Sequence, residues 1–250
     1  MNRLKNKVAV ITGGNSGIGF GIAQAFKNEG AKGVIVGRNQ ATLASSVGQL
    51  GDDFIAINAD VTHVADLEGV FKETADKFGK IDVIVANAGG GAVGTVATID
   101  EADYDKTMDL NLKSVYFTVQ KGLPYMNDGG SIILIGSNAA HRAYANFTLY
   151  GASKAAVIYF AKGFSSDLLD RKIRVNVITP GTTDTPAFEK FVPSEQIEAV
   201  KTHFASVMPT GRIGQPSDIG KTAVFLASDD SSFMLGAELL VDGGMTYLAK

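Results

Sequence analysis

Two side chains capable of proton chemistry stand four residues apart in the run Tyr150-Gly151-Ala152-Ser153-Lys154. On a helix that spacing puts both on one face. A Lys154 ammonium beside the Tyr150 phenol would favour the phenolate and lower a pKa that is ordinarily about 10. A tyrosine moved toward neutrality can serve as general acid or base. Ser137 precedes the pair at the end of an apolar run. Taken singly, each has a plainer reading: Tyr150 and Lys154 as a helix-surface pair, Ser137 as a strand-end cap.

A second chemical signal lies near the start of the chain. Thr12-Gly13-Gly14-Asn15-Ser16-Gly17-Ile18-Gly19 follows the apolar run Val8–Ile11 and opens a helical stripe of Ile18, Ile22, Ala25 and Phe26. Strand, glycine turn and helix in that order form the context of a dinucleotide-binding turn. Gly13 and Gly17 allow the backbone to approach a pyrophosphate, Gly19 allows the helix to pack on the strand, and the helix N-terminus offers free N–H groups to phosphate. Asn15, Ser16 and Ile18 complete the cofactor-binding stretch. Together with Tyr150 and Lys154, the turn points to hydride transfer between a nicotinamide cofactor and a carbonyl or alcohol.

The residues after the second apolar run bear on which cofactor. A carboxylate there binds a ribose 2′-hydroxyl, and an arginine accommodates a 2′-phosphate. The sequence has Gly37-Arg38-Asn39, so Arg38 can form charge-assisted bonds to phosphate. NADP(H) is favoured and NAD(H) stays open. Asp60-Val61 closes the third strand, where Asp60 can bond an adenine amino group, and Asn87-Ala88-Gly89 closes the fourth, where small residues let the backbone run close to a cofactor. A helix N-cap and a simple turn are the plainer readings of these two segments.

The elements that must position these residues follow from hydrophobic patterning. Seven short apolar runs recur: Val8–Ile11, Val34–Val36, Phe54–Ile57, Val83–Val85, Ile132–Ile135, Val175–Ile178 and Leu239–Val241. Most are continuous rather than alternating, as in parallel strands buried on both faces. Helical stripes lie between them, including Leu67, Val70, Phe71 and Phe78. The pattern predicts an α/β fold, a single-domain Rossmann-type doubly wound parallel sheet of about seven strands with helices on both faces. The segment from Gly181 to Gly214 is the least regular and follows a strand end. Residues 186–210 are expected to form a mobile substrate flap.

The chain has 250 residues, 45% of them hydrophobic, which suits one domain. A net charge of −3 with scattered Lys and Arg gives no reason to expect nucleic acid or an anionic membrane as partner. The absence of cysteine excludes disulfides, thiolate catalysis and Cys-ligated metal. His63 and His203 show no metal-ligand pattern, so no catalytic metal is expected. The first apolar run is too short for a signal peptide or a membrane span, so the cytoplasm is the expected compartment.

Six ordered segments resemble the short-chain dehydrogenase/reductase family: Thr12-Gly13-x-x-x-Gly17-x-Gly19, Asn87-Ala88-Gly89, Asn111, Ser137, Tyr150-x-x-x-Lys154 and Pro180-Gly181. Val241-Asp242-Gly243-Gly244 is similar to the family's last strand. The resemblance spans nearly the whole chain, closest to 3-oxoacyl reductases and ketoreductases. It implies a catalytic tetrad of Asn111, Ser137, Tyr150 and Lys154. In that scheme Tyr150 donates a proton to the carbonyl oxygen, Ser137 hydrogen-bonds the same oxygen, Lys154 holds the nicotinamide ribose and lowers the Tyr150 pKa, and Asn111 holds a water that relays protons from Lys154. It also implies cofactor contacts from Pro180, Gly181, Thr183 and Thr185, with Thr185 on the carboxamide. Thr183 stands where the family often has Val or Ile, and Asn15 where some NADP-preferring members carry a basic residue. A homotetramer is the assembly implied.

Sequence proximity to the tetrad suggests a substrate wall of Val93, Ser137, Ala139, His141, Tyr144 and Tyr150, with Phe188 and Phe191 from the flap. The wall is mainly apolar and suits an uncharged small or medium ketone, secondary alcohol or 3-oxoacyl thioester. Sugar, polyol and hydroxysteroid dehydrogenases of the same family are the alternative substrate classes. A dinucleotide sensor without turnover is the reading from a different functional class, and such a protein is expected to lack part of the tetrad.

Overall fold

The computed structural model describes residues 2–188 and 192–248. Phe191, expected in the substrate wall, therefore lies outside the described residues. Seven strands form one parallel sheet in the order β3-β2-β1-β4-β5-β6-β7. They are β1 Val8–Thr12, β2 Lys32–Gly37, β3 Phe54–Asn58, β4 Ile81–Ala86, β5 Met126–Ile135, β6 Arg174–Pro180 and β7 Glu238–Val241. The helices are α1 Gly17–Asn28, α2 Gln40–Leu50, α3 Val64–Phe78, α4 Glu101–Met108, α5 Ser114–Gly122, α6 Thr148–Asp167, α7 Ile197–Val207 and α8 Pro216–Ala227.

The continuous apolar runs have a direct cause. Successive residues of β1 enter opposite cores: Val8 and Val10 pack on one side of the sheet, Ala9 and Ile11 on the other. The first core is closed by Leu67, Val70 and Phe71 of α3, Val115 and Val119 of α5, and Val157 and Ala161 of α6. Ile22 and Phe26 of α1, Leu43 and Leu50 of α2, and Ile219, Ala223 and Val224 of α8 close the second. Burying one side chain the size of Phe26 or Phe71 stabilises the fold by about 1.5–3 kcal/mol.

The strand order reverses beside β1, whose neighbours are β2 and β4. In doubly wound sheets the ligand crevice opens at that switch, outside the carboxyl ends of the strands. A single π-helical turn, Asp109–Lys113, joins α4 to α5 and carries Asn111 toward the same end. Such turns recur at functional sites.

The segment expected to be a flap is more regular than the sequence suggested. Residues 197–207 form α7, whose Phe204 packs with Tyr144 against Met208, Ile213 and Met245. Lys201 of α7 pairs with Asp184 at 2.9 Å, tying the helix to the loop after β6. No helix among the described residues is long and apolar enough to cross a membrane.

Candidate active site

The glycine turn is held by its neighbours as much as by its own conformation. Thr12, buried at the end of β1, accepts hydrogen bonds at Oγ1 from the N–H groups of Asn87 at 3.0 Å and Ala88 at 3.1 Å. The Asn87 amide donates back to the carbonyls of Thr12 and Gly13 at 2.9 and 3.1 Å. The first helix therefore begins against the end of β4. A Cβ on Gly19 would lie 2.2 Å from the Gly13 carbonyl oxygen, so any side chain there would force the turn open. Ser16 precedes α1 without a side-chain cap on the helix, which leaves first-turn N–H groups for a ligand. An uncapped N-terminus of a twelve-residue helix suits a phosphate group.

A cavity of about 420 Å³ opens above this turn. Its wall holds Gly13, Asn15, Ser16, Gly17 and Ile18 from the turn, Arg38 and Asn39 after β2, and Asp60 and Val61 after β3. Asn87, Ala88 and Gly89 after β4 continue it, with Lys154 and Thr185 at the far end. This long trough across four strand ends fits a dinucleotide. Gly19, Tyr150, Pro180, Gly181 and Thr183, also expected to contact cofactor, are not in its wall. Thr183 instead bridges Gly214 and bonds the Gly181 carbonyl. Val36, Gly37, Ala59, Leu110, Ile135, Pro186 and Ala187 line the cavity as well. Most adjoin residues read from the sequence, so extending each strand-end motif by one position would have found them.

At the adenosine end, Asn39 caps α2 by accepting from Thr42 N–H at 3.0 Å. Asn15 donates to Thr42 Oγ1 at 2.6 Å, binding the glycine turn to α2. Arg38 is 68% exposed and stands 3.4 Å from Asp60. Burial pushes the Asp60 carboxyl up, but hydrogen bonds from Thr62 and the Arg38 charge outweigh it and hold the group below its usual range.

At the other end stand the proton-handling residues. Ser137 follows β5, and its Oγ accepts from Ala139 N–H at 3.2 Å, capping a short turn. The plainer reading of Ser137 as a cap is therefore met. The same hydroxyl lies near enough to the Tyr150 phenol to favour its ionised form. Phe147 meets the Tyr150 ring edge-on at 6.1 Å and restrains its orientation.

The pKa expectation for Tyr150 is corrected. Burial pushes the phenol above its ordinary value, and Ser137 only partly opposes this. Helical spacing does put Lys154 on the same face, with Nζ 5.9 Å from the phenol ring centroid. Yet that ammonium reaches past the phenol and donates to the Ile135 carbonyl at 2.9 Å. It is 3% exposed, and burial lowers its own pKa to about 8.

Asn111 is 0% exposed and fully engaged. Its Oδ1 accepts from Gly90 N–H at 2.9 Å and its Nδ2 donates to Ser153 Oγ at 2.9 Å. Ser153 in turn donates to the Tyr150 carbonyl at 2.7 Å. The side chain thus locks the π-turn to α6 and to the glycine run after β4. Gly89 runs so close that a Cβ there would lie 3.1 Å from Lys154 Nζ and 3.2 Å from Asn111 Oδ1. Thr107, one helical turn before Asn111, accepts from Ala92 N–H at 3.1 Å and holds the next stretch of that loop.

The residues expected in the substrate wall have separate surroundings. Tyr144 accepts from Asn138 Nδ2 at 3.0 Å and packs with α7. Val93 is exposed, on a loop that joins Asn146 through Gly94 N–H at 3.0 Å. Ala139 lies beside Ser137, and Phe188 stacks edge-on against Phe204 at 6.2 Å. His141 is a correction: its Nε2 lies 2.6 Å from Glu238 of β7, a carboxylate that also accepts from Thr179. It ties the loop after β5 to the sheet edge, because a carboxylate within reach outcompetes an apolar wall for an imidazole N–H. Among the described residues no three His, Asp or Glu side chains gather as a metal site.

Comparison with known proteins places this geometry. A family model described as enoyl-(acyl carrier protein) reductase matches residues 13–246. The chain is 38% identical over 250 residues to oxidoreductase asL5 of Sarocladium schorii, covering 99% of each chain. It is also 38% identical over 255 residues to galactitol 2-dehydrogenase of Agrobacterium fabrum, covering 97% of this chain and 98% of that one. A solved Brucella melitensis structure, described as a short-chain dehydrogenase/reductase and glucose/ribitol dehydrogenase, superimposes with a TM-score of 0.91 at 31% identity and 98% coverage of both chains.

Proposed function

Given that the chain belongs to the short-chain dehydrogenase/reductase family of oxidoreductases, we propose that it is an NADP(H)-dependent reductase of small or medium hydrophobic ketones or 3-oxoacyl thioesters. The observation that carries this reading is the buried Tyr150 phenol near Ser137, with Lys154 buried on the same helix face at one end of the trough. The uncapped start of α1 would hold the pyrophosphate, Arg38 the 2′-phosphate, Lys154 the nicotinamide ribose and Thr185 the carboxamide. When bound, the reduced nicotinamide supplies a hydride.

The residues of the chain then have separable tasks. Tyr150 stays protonated at neutral pH because burial raises its pKa, so it can donate its proton to the carbonyl oxygen of the substrate as negative charge develops there. Ser137 hydrogen-bonds the same oxygen and stabilises that charge. Lys154, charged at neutral pH, stabilises the phenolate left behind. The Asn111 side chain is already committed to Gly90 and Ser153, so a proton-relaying water would be held by its backbone and not by its amide. In the oxidative direction Tyr150 is the base.

An uncharged substrate is supported by the engagement of Arg142, which follows the expected wall residue His141. Arg142 donates to the Met245 carbonyl at 2.9 Å and lies over the Tyr144 ring. A homotetramer is part of the proposal: Tyr116 and Tyr159 of α5 and α6 are exposed beside the ring cluster of Phe117, Phe160 and Phe164. Polyol oxidation is the second reading, favoured by the likeness to galactitol 2-dehydrogenase. Initial rates with NADPH and NADH over a panel of ketones and acetoacetyl thioesters, and with NADP+ and NAD+ over sugar alcohols, separate the two. Fastest turnover with a ketone and NADPH is expected. Turnover confined to sugar alcohols would move the assignment to the second reading, and none with any substrate would remove both.

A further inference from the structure

The adenosine end of the trough holds an ion pair between Arg38 and Asp60. Arg38 is fixed at its backbone, where its carbonyl accepts from Asn58 Nδ2 at 2.9 Å. The Arg38 side chain is 68% exposed, and among the described residues its guanidinium makes one polar contact, Nη1 to Asp60 Oδ2 at 3.4 Å. Asp60 is the stiffer partner. Its Oδ1 accepts from Thr62 Oγ1 at 2.8 Å and Thr62 N–H at 3.0 Å, and its own N–H donates to Asp66 at 3.1 Å. The carboxylate is therefore pinned through one oxygen, with the other turned to Arg38. Both residues line the trough.

We propose that Asp60 is a specificity-determining residue for the cofactor, because it holds Arg38 in the free protein and a 2′-phosphate must take the guanidinium from it. A 2′-hydroxyl makes no such demand, so the pair stays intact with NAD(H). This rests on the NADP(H) reading above. A long, single-point, exposed pair of this kind restrains its partners by a factor of about 1.5 to 5. Asp60 thus moderates the preference for NADP(H) that Arg38 creates. Because adenine is common to both cofactors, any contact of Asp60 with the base cancels in the ratio of their affinities.

The test is equilibrium titration of NADPH and of NADH, without substrate, followed by nicotinamide fluorescence. Wild type, Asp60→Asn, Arg38→Met and the double variant are compared, with Asp60→Ser as a second charge-free variant. Asp60→Asn keeps an oxygen for Thr62, and circular dichroism checks that each variant folds. The ratio of the NADH to the NADPH dissociation constant is expected to exceed one in wild type. It should rise about 1.5- to fivefold in both Asp60 variants, and the gain should vanish when Arg38 is Met. An unchanged ratio in the Asp60 variants, or an equal gain without Arg38, overturns the proposal while leaving the NADP(H) reading intact. A wild-type ratio at or below one that Arg38→Met does not alter removes that reading, and the proposal with it.

Discussion

Replacing Lys154 by Met should remove a specific alkaline dependence of stability from the free protein. The Lys154 ammonium is buried, its bond to the Ile135 carbonyl is neutral, and its pKa falls from 10.5 to about 8. Keeping it charged in the fold costs about 3 kcal/mol at neutral pH. The unfolded chain binds this proton more tightly than the folded one. Between pH 8 and 10.5 the unfolded state therefore carries more protons, and stability rises with pH across that window. Below it both states are charged and the penalty is constant. From about pH 7 to about pH 9.5, wild type should gain about 2 kcal/mol relative to Lys154→Met. Urea unfolding of both proteins at the two pH values, followed by far-UV circular dichroism without cofactor, measures this difference of differences. The absolute stabilities also reflect the Ile135 carbonyl left unpaired in the variant, so only the change with pH is diagnostic. Parallel pH profiles for the two proteins would refute the reasoning.

Two further outcomes follow from the same geometry. The raised Tyr150 pKa keeps the phenol protonated at neutral pH, so kcat/KM for ketone reduction should be flat around neutrality and fall on the alkaline side. Alcohol oxidation, which needs the phenolate, should rise there, and pH–rate profiles in both directions check the pair. Thr12→Val keeps the shape of the side chain but leaves the N–H groups of Asn87 and Ala88 without their acceptor. That should destabilise the fold by about 1–3 kcal/mol and weaken cofactor binding, read by urea unfolding and by cofactor titration.

The fold was legible in the sequence because both faces of this sheet are buried. Ala9 and Ile11 need one core, Val8 and Val10 the other, so each strand wrote a continuous apolar run. The glycines of the turn were legible because the backbone is crowded there, with no room for a Cβ between Gly19 and the Gly13 carbonyl oxygen. Side-chain destinations were not. The spacing of Tyr150 and Lys154 fixes a helix face, but the long lysine stem ends at the Ile135 carbonyl, on a strand 19 residues earlier. The partners of Thr12, Thr107 and Ser153 are tertiary, and nothing in a local pattern announces them. His141 was drawn to Glu238, 97 residues away. Helix α7 was missed although Ile197, Val200 and Phe204 stand at helical spacing, because Pro186, Pro193 and Pro209 around them made the whole segment read as irregular.

The most direct test of the account is a Tyr150→Phe substitution, with NADPH oxidation followed on the best ketone of the panel. The ring and its contact with Phe147 remain, and only the phenolic hydroxyl is lost. The account predicts that NADPH still binds and that turnover falls by a factor of about 10²–10⁴. Turnover within a few-fold of wild type would contradict the assignment of Tyr150 as the proton donor.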